Sequence, residues 1–367
     1  MSAIQYATKI NFGIDIIKRL NLSMFKNVLV LTGAHYSLEV FNNKIAGALG
    51  GNYHLYSGIG ANPTETAIYS AVSFARNKNI DCILSMGGGA VMDTGRLVSL
   101  LLSHGGLLHE YVANGESAPL VITPNLIYHV TVPTICGTGA EISASASFML
   151  GNKKCKIFDP LLAPKETFID PALMTDVPKK IWAAVGFECF AGALEAYVSM
   201  EATPESDALS EQALTAYVEV ATELLEDTSD LVLIERFAAA SINSMIAMNL
   251  SSAGAVHAIA EVLSAHFNLQ HGVALAVVCA EVCVANEKHN KPKFDRVRQI
   301  LKAGKKDIST AINMLIQKIG ITKPVIQHKF TSELKAQMSL ECLNPAMRGN
   351  PKLLTVVDVT QILNSLA

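Results

Sequence analysis

The chain has 367 residues, half of them hydrophobic and only 17% charged, which excludes disorder as a general description. With 29 Lys and Arg against 32 Asp and Glu the formal charge is −3, and with no basic run in the chain nucleic-acid binding is not expected. Mean hydropathy is +0.32, yet the most apolar stretches, 98–108 and 273–285, are interrupted and fall short of the ~20 apolar residues of a spanning helix. No membrane association is expected, and the apolar excess is read as a large buried core.

The first ~170 residues alternate strand-like and helix-like patterns. A β-rich run from Asn27 to Thr32 ends at Gly33, and a helical pattern follows to Leu49. Residues 53–56 are again strand-like, and Thr64 has the hydroxyl to cap a helix running to about Asn77. Residues 81–85 form a buried strand that runs into Gly87-Gly88-Gly89 and a helix to about Ser103. A strand over 128–133 repeats the pattern at Gly137-Thr138-Gly139. Alternation of this kind implies a mostly parallel sheet with helices packed on it.

Beyond Asp170-Pro171 the apolar period becomes three to four. Helices are expected over 180–200, 205–225, 230–250, 252–265, 271–288, 294–303, 308–319 and 354–365. The fold class is therefore an α/β domain over 1–175 and an all-α domain over 176–367. Seven cysteines without a CxxC pair fit reduced thiols, and residues 1–13 show no signal-peptide pattern, so the expected localisation is cytoplasmic.

Three features bear chemistry. Three glycines at a strand-to-helix turn, Gly87, Gly88 and Gly89, let a ligand approach the backbone, and the helix that follows offers free N–H groups to a phosphate. The segment is neither GxGxxG nor a P-loop, and a bare turn explains it equally well. Asp93, one turn on, is either an acceptor for the ligand or a charge complementing the helix dipole. Thr134 and Thr138 flank a second such loop, after another strand of the same sheet, where ligands of parallel sheets gather. In the helical half, His257 and His271 are 14 residues apart across a short turn, and Glu188 is a charge in an unusually apolar helix. One Glu and two His with an open position is a recurring composition for a catalytic divalent ion, although each residue singly is more often structural. Glu261 shares a helix face with His257 and is the expected hydrogen-bond partner of its ring.

Taken together, Gly-Gly-Gly-x-x-x-Asp, Pro-Thr-x-x-Gly-Thr-Gly-x-Glu, Asp-Pro, a Glu-Ala-Tyr helix and His-x13-His-Gly resemble the iron-containing (group III) alcohol dehydrogenases. Ala61-Asn-Pro-Thr64, Asn286 and Asn350-Pro-Lys352 are smaller echoes of the same family. The resemblance implies the dehydroquinate synthase-like fold of that family, with the α/β half as a Rossmann-like nucleotide-binding domain. It also implies NAD(P)-linked interconversion of an alcohol with an aldehyde or ketone at one divalent metal, zinc or iron, and a homodimer. By residue, it assigns the cofactor to Gly33, Asn62, Gly87, Gly88, Gly89, Ala90, Asp93, Thr134, Thr138 and Lys154. Glu188, His257 and His271 fall on metal-ligand positions, with His257 and Glu261 as catalytic positions.

The departures are specific. Glu188 replaces an Asp, Gly192 a histidine ligand, Glu261 a second histidine, Arg96 a Lys and Ala90 a Ser. Related glycerol dehydrogenases hold a metal with an acid and two histidines, and 3-dehydroquinate synthases with Glu and two histidines, so a three-residue site is expected, with zinc favoured over iron. Gly192 is expected to leave space and a weak point in its helix, admitting a larger or more polar substrate than a short alcohol. Thr32-Gly33-Ala34-His35 has no carboxylate to hold an adenosine ribose 2′-OH, so NADP is expected to be tolerated or preferred. The competing readings are a dehydroquinate synthase-like cyclase or lyase and a catalytically inactive nucleotide-binding scaffold.

Overall fold

The structure is a computed structural model that describes residues 8–34, 38–50, 52–112, 119–151, 153–324 and 330–366. His35, and residues 1–7 of the N-terminal stretch, lie outside the described residues. Contacts divide the chain into two units, one of residues 1–135 and 139–175, the other of 136–138 and 176–367.

The first unit is built on a six-stranded parallel sheet of β1 (Lys9–Phe12), β2 (Val28–Gly33), β3 (Tyr53–Ile59), β4 (Cys82–Gly87), β5 (Tyr128–Pro133) and β8 (Glu166–Ile169). Their spatial order is β1-β8-β5-β4-β2-β3. Strand β2 is a continuous apolar run because both faces of the sheet are covered. Leu29, Leu31 and Ile83 pack under α2 (Glu65–Ala75) and α3 (Gly89–His104), while Val28, Val30, Cys82, Leu84 and Met86 pack on the opposite face with Phe41, from α1 (Leu38–Lys44), and with Ile17 and Ile45. Thr64 caps α2 as expected, its hydroxyl accepting the Ala67 N–H at 3.2 Å.

Four strands of this unit are not among those the sequence pattern predicts. β1 and β8 are only four residues each, and the antiparallel hairpin of β6 (Ser145–Leu150) and β7 (Lys153–Phe158) follows a Gly-Asn turn signal that was there to be read.

The second unit is helical: α4 (Lys179–Val198), α5 (Pro204–Glu226), α6 (Leu231–Ser251), α7 (Ala255–Phe267), α8 (His271–Asn286), α9 (Lys291–Ile300), α10 (Ile308–Lys318), α11 (Ser332–Glu341) and α12 (Val356–Ser365). Helix α11 was not expected, because Leu334, Ala336, Met338 and Leu340 recur at every second residue and only Met338 of these is buried. Helix α4 runs through the centre against α5, α6, α7 and α8, its Trp182, Phe187 and Phe190 fully buried. By length and composition α4 and α6 could each cross a membrane, which the sequence reading did not foresee, but 83% of the most apolar window of α4 is already buried within the fold. All seven cysteines are free and buried.

Candidate active site

In the first unit, β4 turns directly into α3. A Cβ on Gly87 would lie 2.7 Å from a Val91 methyl, so this tight turn requires glycine. Gly88 takes the N-cap position in an extended conformation and supplies no side-chain cap. The helix bonds begin at Val91 and Met92, whose N–H groups donate to the Gly88 carbonyl. The N–H groups of Gly89 and Ala90 therefore stand at the positive end of a 16-residue helix. Thr134 N–H donates to the Gly87 carbonyl at 3.0 Å, which ties the second loop to the first where β4 and β5 end side by side.

The hairpin docks beside this turn through Met149 N–H to Pro63 O. Lys154, paired with Met149 across the hairpin, is thereby brought close enough for its charge to act on Asp93. Asn62 is exposed in the turn ahead of Thr64. Gly33 ends β2, and a Cβ there would make only ordinary contacts with Ile59 O at 3.6 Å and Val91 at 3.8 Å. Gly33, Asn62, Gly87, Gly88, Gly89, Ala90, Thr134 and Lys154 thus share one unit, whereas Thr138 belongs with Cys136 and Gly137 to the helical one.

The Asp93 carboxylate is engaged within the protein: one oxygen accepts from Arg96 at 2.9 Å, the other from Ser147 N–H at 3.1 Å. Burial pushes its pKa up, against the opposing pull of the Arg96 guanidinium. Arg96, its side chain wholly buried, also donates to the carbonyls of Ser143 and Ala140. The pair fastens α3 to the β5–β6 connection and to the hairpin.

In the second unit one face of α4 organises the site. Ala184, Glu188, Gly192 and Glu195 recur at helical spacing on that face. At one end, a Cβ on Gly272 would lie 1.9 Å from the Ala184 carbonyl, so the Gly after His271 lets the start of α8 press against α4. At the other end, Glu195 receives the start of α7: its Oε1 accepts Val256 N–H at 2.6 Å, and its Oε2 lies 2.5 Å from His257 Nδ1. Glu188 stands between these anchor points.

The His257 and His271 rings consequently lie next to each other, their centroids 5.7 Å apart and their planes tilted by 58°. Two imidazoles that share one ion at ~2 Å from a ring nitrogen put their centroids roughly 5–6 Å apart. Burial works to lower the His257 pKa. The hydrogen bond and charge of Glu195, with the charges of Glu188 and Glu261, outweigh it and hold the pKa above its usual value.

Across the sequence, the iron-containing alcohol dehydrogenase family matches residues 7–171, and its C-terminal domain matches residues 182–367. The chain belongs to the iron-containing alcohol dehydrogenase family.

It is 27% identical over 318 residues to the NAD-dependent methanol dehydrogenase of Bacillus methanolicus, covering 83% of this chain and 81% of that one. It is 29% identical over 280 residues to a 1,3-propanediol dehydrogenase of Klebsiella pneumoniae, covering 73% and 70%. A crystal structure of a 1,3-propanediol oxidoreductase superposes over the whole of both chains with a TM-score of 0.89 at 24% identity, which shows the fold. The chain is thus an oxidoreductase of the alcohol dehydrogenase class.

Against that family, two further expectations change. Gly192 does not face open space: a Cβ there would lie 2.8 Å from Met248 Sδ and 2.9 Å from Ser244 Oγ, both on α6. The missing side chain has been filled by the neighbouring helix, α4 runs unbroken through the position, and nothing at Gly192 supports a larger substrate. Glu261 is not what holds the His257 ring; Glu195 is. Glu195 belongs to the Glu-Ala-Tyr run, and its place seven residues after Glu188 puts it on the same helix face.

Proposed function

We propose that the chain interconverts an alcohol and its aldehyde or ketone with NAD(P), holding the dinucleotide pyrophosphate at the uncapped start of α3 and a divalent metal at Glu188, His257 and His271. The observation behind the metal reading is the neighbouring pair His257 and His271, with Glu188 on the helix that both their helices touch. Among the described residues no three His, Cys, Asp or Glu side chains are already gathered as a metal-holding group. The donor types nevertheless fit: two neutral imidazoles and one carboxylate suit zinc or iron, and three protein ligands leave a position for substrate. Binding has to draw the Glu188 side chain in.

A bound ion supplies Lewis acidity to the alcohol oxygen, favouring its deprotonated form for hydride loss to the nicotinamide. The chain's own residues do the rest. Gly89 and Ala90 present N–H donors to the pyrophosphate, with Asn62, Thr134 and Lys154 around the same strand ends and Thr138 as a further contact. Of the two expected catalytic positions, Glu261 is the candidate to act on the substrate, while His257 would act through the ion it holds. The lack of a carboxylate at Gly33 supports NADP as a cofactor at least equal to NAD. The homodimer expected from the family is a proposal that gel filtration checks.

Metal content after anaerobic purification tests the reading. Close to one zinc or iron per chain, lost in His257→Ala together with NAD(P)H-linked turnover, is the expected result. A metal-free chain that binds dinucleotide without turnover would instead support the scaffold reading.

A further inference from the structure

The first turn of α7 is capped by side chains from distant parts of the chain. Gly254, at its N-cap, provides no side-chain cap. Ala255 N–H donates instead to Asn350 Oδ1 at 3.2 Å, and Asn350 is paired in both directions with Asn286, at 2.7 and 2.8 Å. Val256 and His257 N–H both donate to Glu195, at 2.6 and 3.3 Å. A Cβ on Gly254 would lie 2.7 Å from Glu195 Oε1 and 3.2 Å from Asn350 Oδ1, so glycine there is what lets both caps reach the helix.

Asn350 and Glu195 differ in one respect: only Glu195 is bonded to the imidazole. An ionised carboxylate is acceptor-only, so a ring nitrogen facing it carries the hydrogen, and in a neutral imidazole the other nitrogen then holds the lone pair. We propose that Glu195 is a positioning residue that fixes His257 as the Nδ1–H tautomer and aims Nε2 as the donor nitrogen. The inference deepens the reading of His257 as a metal ligand and rests on it for its catalytic meaning. Carboxylate, histidine and metal in series is a general way to orient a ligand, and removing the outer carboxylate commonly weakens metal binding 10–100-fold.

The experiment compares the full chain with Glu195→Gln, Glu195→Ala and Asn350→Ala, metal-free and with zinc as the probe. Histidine ring nitrogens labelled with ¹⁵N report the tautomer, the His257 signals being assigned by their loss in His257→Gln. The expected result is an Nδ1–H signature in the parent chain and in Asn350→Ala, but a mixed one in both Glu195 variants. Zinc affinity by chelator competition should fall 10–100-fold in the Glu195 variants, and less in Asn350→Ala. An unchanged His257 tautomer in both Glu195 variants overturns the proposal and leaves Glu195 a helix cap like Asn350. If the tautomer shifts as expected while the parent chain and His257→Ala bind zinc equally, the positioning stands and the ligand reading fails.

Discussion

Replacing Gly192 by histidine would supply the imidazole that the family resemblance implies at this position of α4. The packing admits it only if Met248 and Ser244 move. The Cβ alone enters within 2.8 Å of Met248 Sδ and 2.9 Å of Ser244 Oγ. Ser244 would have to give up its 2.9 Å hydrogen bond to the Cys189 carbonyl, worth about 1 kcal/mol. Forcing an imidazole into the α4–α6 contact adds roughly 1–3 kcal/mol of overpacking, against a gain of only a few tenths of a kcal/mol for replacing glycine within a helix. The net expectation is a loss of about 2–4 kcal/mol in chemical denaturation, with no gain in metal binding. Adding Met248→Ala removes the main obstacle, so the two substitutions should couple favourably by about 1 kcal/mol or more. A Gly192→His chain as stable as the parent would refute the reasoning, because it would mean that the position opens onto free space.

Two other expectations follow from the first unit. His129, buried beside Arg96, has its pKa pushed down to about 3, so the unfolded chain takes up a proton first as pH falls below about 6.5. Stability from this group is complete above that value and is lost at about 1.4 kcal/mol per pH unit down to about 3; His129→Gln should flatten the slope between pH 6 and 4 in urea titrations, and an unaltered slope would count against it. Gly33→Asp meets only ordinary contacts and places a carboxylate at the end of β2, so NADPH binding should weaken about tenfold relative to NADH, or ~1.4 kcal/mol; an unchanged affinity ratio by calorimetry would remove Gly33 from cofactor selection.

The local patterns were legible where one residue type answers to one physical need. Glycines 87–89 marked the turn into α3 because the chain there has no room for a Cβ at Gly87, and the Thr64 hydroxyl marked a helix start because it can accept an orphan N–H. Helix α11 escaped because its apolar residues alternate, and β1 and β8 because four residues carry too little period. Their places are set by parallel pairing with each other at a separation of more than 150 residues.

The candidate site divides along the same line. Sequence alone determined the chemical inventory: one histidine within a helix and another opening the next, an acid in an apolar helix, a glycine turn after a strand, and a glycine at position 192. What each of these meets was decided by tertiary structure. Asp93 is held by Arg96 and Ser147, the His257 ring by Glu195 rather than by Glu261 on its own helix, and the gap at Gly192 is closed by Met248 and Ser244. The physical reason is that spacing along a helix fixes which face a residue occupies. Only the packing of one helix against another fixes which partner fills that face, and a buried carboxylate or an empty volume is settled by whichever neighbour reaches it first.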